Sequence, residues 1–172
     1  MITNVTDETP DPEEMVRAYM AGIVDSSGSF TASVHKSNST LVGFYFETKF
    51  RLTRSGNRVA VAEAFYDWAM AEDLNPNRKT KSAGQVEVSI SRDGDLLKMI
   101  TMLRPFLRIS LEDAAILADE IIPRKKDRQH LNPDGLLECI SLAEQMPSVD
   151  MSKRKYDYET VATALSEDDT SE

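Results

Sequence analysis

At 172 residues, 41% of them hydrophobic and 28% charged, the chain is about one domain's worth of material with enough apolar content for a core, which excludes wholesale disorder. The formal net charge is −9, yet Asp7, Glu8, Asp11, Glu13 and Glu14 near one end and Glu167, Asp168, Asp169 and Glu172 near the other account for all of it, leaving residues 15–165 neutral overall. No run of ~18 apolar residues exists to cross a membrane, no apolar stretch marks a signal peptide, and one cysteine, Cys139, with two distant histidines, His35 and His130, excludes a disulfide framework and a Cys/His metal site.

In chain order, residues 1–11 read as an acidic disordered tail. Asp11 is a helix N-cap before Pro12, and the helix runs to about Val24, where Asp25, Ser26, Ser27 and Gly28 stop it. Ser29 to Ser37 and Gly43 to Thr53 alternate apolar and polar residues and form an antiparallel hairpin. A helix follows from Asn57 to Ala71, capped by Ser55 and ended by Asn75-Pro76. Arg78 to Lys81 and Gln85 to Ser91 form a second hairpin around Ala83-Gly84. Asp93-Gly94-Asp95 is a turn before a helix from Leu96 to Leu103; Leu111 to Ile122 is helical; Asn132 caps a helix reaching Met146; and Tyr158 to Leu165 is a last short helix. Residues 166–172 form a second acidic tail. Acidic tails on a neutral body suit a high-salt, halophile-type cytoplasm.

This order, α-ββ-α-ββ-α and then further helices, gives an α+β fold: a four-stranded antiparallel saddle sheet with helices on one face. The other face is free and polar. Positive charge clusters at Lys36, Lys49, Arg51, Arg54 and Arg58; at Arg78, Lys79, Lys81 and Arg92; at Arg124, Lys125, Lys126 and Arg128; and at Lys153, Arg154 and Lys155. The first two groups fall on the free face or its edges, and a ribbon so decorated suits the major groove of DNA. Thr31, Ser33, His35, Tyr45, Lys49 and Arg51 are expected to face DNA from the first hairpin, and Arg78, Thr80, Gln85 and Ser89 from the second. Lys153, Arg154 and Lys155 are expected to meet phosphate.

The segment Met20-Ala21-Gly22-Ile23-Val24-Asp25-Ser26-Ser27-Gly28-Ser29-Phe30 resembles the LAGLIDADG motif of homing endonucleases. Leu103-Arg104-Pro105-Phe106-Leu107-Arg108-Ile109 is similar to the Pro-Phe-Leu segment of single-motif members, and Ser152-Lys153-Arg154-Lys155 with Glu159-Thr160-Val161 to their basic C-terminal stretch. The resemblance spans residues 12–165. It implies a homodimer joined at the motif helix, through Met20, Ala21, Gly22 and Asp25, on a long, near-palindromic duplex DNA site. The small Ala21 and Gly22 would let two copies of the helix approach closely; a glycine inside a helix costs ~1 kcal/mol and calls for such a reason. The protein would act in the cytoplasm, on the nucleoid, and not at a membrane.

The resemblance also implies a loss. The family's eighth motif position is a carboxylate that holds a divalent metal; here it is Ser27, a poor Mg²⁺ ligand. Ser110 stands where similar enzymes carry an active-site Lys. Arg54 and Arg58 fall at the positions of the family's solvent network, and Asp25, at the sixth motif position, is expected to tie helix ends. These substitutions favour a DNA binder with impaired cleavage and no bound metal. The alternatives are an active, Mg²⁺-dependent endonuclease using Asp25, and an RNA-binding intron maturase.

Overall fold

The computed structural model describes residues 11–169. Helix α1 covers Pro12–Ser27, with the Asp11 carboxylate accepting the backbone N–H of Glu13 and Pro12 occupying the first turn. It continues a turn beyond the expected stop at Val24, because Asp25, Ser26 and Ser27 keep helical backbone and the chain extends only at Gly28. Strands β1 (Gly28–Lys36) and β2 (Phe44–Arg54) pair antiparallel with Phe30 opposite Phe50 and His35 opposite Tyr45. A 3₁₀ turn, Gly56–Arg58, leads into α2 (Val59–Ala71), so the α-helix starts two residues later than expected and Ser55 makes no side-chain cap.

Strands β3 (Asn77–Thr80) and β4 (Val86–Ile90) complete an antiparallel sheet in the order β1-β2-β4-β3. Helix α3 is Asp93–Leu103, which absorbs Asp93-Gly94-Asp95 into its first turn. Next come α4 (Leu111–Ala115), a π-helical turn (Ile116–Ile121) and α5 (Ile122–Lys126), a nearly continuous helical stretch. Pro123 lacks an N–H and would break a regular helix there, and the wider π-turn just before it takes up the irregularity. Helix α6 is Pro133–Glu144, capped by the Asn132 side chain accepting the Gly135 N–H at 2.9 Å. Helix α7, Tyr158–Asp169, outruns its expected end at Leu165, so much of the expected second tail is helical. The first tail, apart from Asp11, and residues 170–172 lie outside the described residues.

The core forms where the apolar back of the sheet meets the helices. Phe30, Phe46, Phe50, Leu52, Val88 and Ile90 are buried with Phe65 of α2 and Leu96, Met99, Ile100 and Leu103 of α3. A run of rings links the layers: Phe30 to Phe50 at 5.3 Å, Phe50 to Phe65 at 5.2 Å and Phe65 to Trp68 at 5.4 Å between centroids. Gly28 makes the turn from α1 into β1 possible, since a Cβ there would lie 2.5 Å from the Phe50 ring. Cys139 is buried in this core, and burial pushes its thiol up to about 11, which leaves it inert.

Candidate nucleic-acid interface

The helices cover one face of the sheet; cross-strand register decides what the other presents. Residues directly opposite share a face. On the first hairpin, Thr31, Ser33 and His35 lie opposite Lys49, Glu47 and Tyr45, so all six share the helix-free face. On the second hairpin the register corrects two expectations. Arg78 lies opposite Val88 and Thr80 opposite Val86, and both valines face the core. Arg78 and Thr80 therefore sit on the helix side, and Arg78 donates Nε and Nη2 to the Glu63 carboxylate of α2. Asn77 and Lys79, opposite Ser89 and Glu87, take the free face instead. Ser89 is on that face but only 6% exposed, hemmed in by Arg51 and Asn77 in neighbouring strands, which corrects its assignment as an open contact. Gln85, half-buried, pairs its carbonyl with the Lys81 N–H at the end of the hairpin.

Among the described residues the free face carries two carboxylates, each set between two nitrogen-bearing side chains. Glu47 lies 3.7 Å from His35 Nε2 and 3.8 Å from Lys49 Nζ, and Ser33 Oγ is 3.1 Å from the same histidine nitrogen. Glu87 accepts a hydrogen bond from Lys81 Nζ at 2.5 Å and lies 3.9 Å from Arg51 Nε. Burial raises the Glu87 carboxyl's pKa, but the Lys81 hydrogen bond and the charges of Lys81, Arg51 and Lys49 outweigh it and hold it below the usual range. Burial, with the negative charges of Glu47 and Asp93, pushes the Tyr45 phenol up.

At the foot of α1 the structure gathers Ser26, Ser27, Arg54 and Arg58 around one open cavity, together with Ala18, Tyr19 and Gly22 of the helix's outer face. The Ser27 hydroxyl is 2.8 Å from that of Ser26. A cavity of hydroxyls and guanidiniums suits an anion and does not fit a divalent metal, and among the described residues no three His, Cys, Asp or Glu side chains are grouped to hold one. Asp25 and Ser110 are not part of this cavity. They line a separate one with Gly28, Ser29 and Ile109, so within the protomer Ser110 does not join Ser27. The Asp25 carboxylate accepts the backbone N–H of Arg108 and of Ser110, both at 2.8 Å, fastening α1 to the loop before α4. Burial works against the charge on Asp25, but the N–H groups of Ser110, Arg108 and Ile109 more than offset it, and its pKa is lowered.

The motif helix divides its faces differently from the expectation. Met20 (6% exposed) and Ala21 (0%) are buried in the protomer's own core and are not available to a partner. The outer stripe consists of Met15, Ala18, Tyr19, Gly22 and Ser26, all exposed, and a Cβ on Gly22 would meet nothing within 4 Å.

The basic C-terminal stretch is also split. Arg154 Nη2 donates to the Ala32 carbonyl at 2.7 Å, on the outer edge of β1, which corrects its assignment to phosphate. Lys153 and Lys155 remain exposed beside it. In the third basic group, Arg124 is paired with Glu120 and Glu138, and Lys125 is sunk beneath the sheet, donating to Thr48 Oγ1 at 2.9 Å and Asp93 Oδ1 at 2.8 Å. Sequence reasoning missed Asn77 on the free face, and the Thr48–Asp93–Lys125 cluster beneath the sheet. The signal for the cluster was Thr48, a polar residue in the inward row between Phe46 and Phe50.

Solved structures share this fold. The homing endonuclease I-CvuI in complex with the I-CreI target superposes with a TM-score of 0.75 at 20% identity, over 90% of this chain and 95% of that one. An archaeal intron-encoded homing endonuclease complexed with DNA gives 0.74 at 21% identity, over 92% and 99%. The group I intron-encoded homing endonuclease I-CeuI, also complexed with DNA, gives 0.75 at 15% identity, over 92% and 79%. No protein-family profile and no curated protein matches the sequence. The fold is that of the LAGLIDADG homing endonucleases.

Proposed function

We propose that this chain is a homodimeric, sequence-specific binder of double-stranded DNA, of the LAGLIDADG homing endonuclease type, with impaired metal-dependent cleavage. The observation that carries this reading is the cavity at the foot of α1. Arg54 and Arg58 supply phosphate-binding charge there, while Ser27 supplies hydroxyls where metal-assisted hydrolysis needs carboxylates. Fold neighbours are described as DNA complexes, and the free sheet face of this chain has the groove-reading side chains such a complex uses. The exposed stripe Met15, Ala18, Tyr19, Gly22 and Ser26 is the surface on which a second copy would pack. The active-enzyme alternative is disfavoured by Asp25, whose two oxygens already accept backbone N–H groups.

Selection of binding sites from random duplex DNA, with and without Mg²⁺, tests the reading. The expected result is one long, near-palindromic site, bound by a dimer and left uncut. Cutting with Mg²⁺ that Asp25→Asn abolishes while the dimer persists would establish the active endonuclease instead. Preference for folded intron RNA would establish a maturase.

A further inference from the structure

Among the cations of the free face, Arg51 is set apart by its surroundings. It lies on β2, an interior strand, with Ser29 opposite on β1 and Ser89 opposite on β4. Beside these two small neighbours its long side chain is 45% exposed. Its Nε lies 3.9 Å from Glu87 Oε2, an ion-pair contact longer than a hydrogen bond, and among the described residues nothing takes Nη1 or Nη2. Glu87 is itself fixed: it sits on central strand β4, its side chain is 9% exposed, and Lys81 donates to the same Oε2 atom. Glu47, the other carboxylate of this face, is more exposed at 29% and has contacts at 3.7 and 3.8 Å but no hydrogen bond like that from Lys81 to Glu87.

A guanidinium whose Nε side faces a fixed carboxylate presents its two terminal nitrogens outward as a pair. That pair matches the O6 and N7 acceptors of guanine in the major groove, and no other base edge offers two acceptors there. We infer that Arg51 reads a guanine, and that Glu87 is a positioning residue that sets this specificity by fixing the Arg51 side chain. The inference rests on the DNA-binding reading above. It also locates the base. Leu52, the next residue, lies opposite Gly28 at the foot of α1, so the guanine belongs to the inner part of each half-site, toward the dimer axis.

The test is site selection from random duplex DNA by the full-length wild type, Arg51→Gln and Glu87→Gln, with dissociation constants measured on the selected site and its single-base variants. The wild type should enrich one guanine in the inner part of each half-site. Arg51→Gln, an exposed change that leaves the core untouched, should move that position to adenine, which a glutamine amide matches. Glu87→Gln removes a negative charge from the DNA face, so affinity for unselected duplex should hold or rise, while preference for guanine at that one position falls about tenfold. An unchanged base preference in Arg51→Gln would overturn the assignment of Arg51. Weaker binding of Glu87→Gln to all sequences alike, with preference intact, would reduce Glu87 to a structural residue. If the wild type enriches no duplex at all, the DNA-binding reading itself has failed.

Discussion

Ser27 and Asp25 stand two residues apart at the foot of α1, and their surroundings are opposite in kind. Ser27 opens into a cavity that has cations and no anion; Asp25 is an anion whose two oxygens are already satisfied by a loop. A helix turns about 100° per residue, so two residues separate the side chains by about 200°. A carboxylate that leaves one side of a helix end does not substitute for one on the other side. What matters is which side of the helix end it leaves from and whether its lone pairs are free.

The largest effect that would break this comparison lies on the Asp25 side. Asp25→Asn replaces an acceptor of two N–H groups with an amide that can match only one. It should cost about 1–3 kcal/mol in denaturant unfolding. Loss of DNA-linked function without loss of stability would instead mean that Asp25 has a free, chemical role. A second effect is acid sensitivity. The folded-state pKa of Asp25 is lowered, so its contribution to stability is present above the ordinary carboxyl value near 3.8 and disappears as pH falls through the folded value. Unfolding curves of wild type and Asp25→Asn should therefore converge toward low pH. The smallest effect sharpens the Ser27 side. Ser27→Asp should create weak Mg²⁺ binding, on the order of millimolar, in titration calorimetry of the protein–DNA complex. Adding Ser110→Lys should leave that binding unchanged, because Ser110 lines the other cavity.

The legibility of these features followed the length of the pattern that encoded them. β1 and β2 span 9 and 11 residues with apolar positions at alternate places, so the faces of Thr31, Ser33, His35, Tyr45, Glu47, Lys49 and Arg51 could be read from the chain. β3 has four residues, Asn-Arg-Lys-Thr, with no apolar member to mark the inner side; only pairing with β4 assigns its faces, and that pairing turned Arg78 and Thr80 inward. Met20 and Ala21 illustrate the same limit in a helix. The motif suggested which residues approach a partner, but the core of the protomer claims the stripe containing Met20, Ala21, Ile23 and Val24. The distance from Ser27 to Ser110 depends on where the loop before α4 comes to rest, and no local pattern records that.

The hydrogen bond from Arg154 to the Ala32 carbonyl has a bearing on the protein in a crowded cell. An open sheet invites growth, since each unpaired carbonyl along an outer strand is a place where another chain's strand can add. At β1 a guanidinium occupies that place, and at the opposite margin β3 offers four residues, two of them lysine and arginine, too short and too charged to template an extension. Both margins are thus made poorer templates for extension while the broad face stays open.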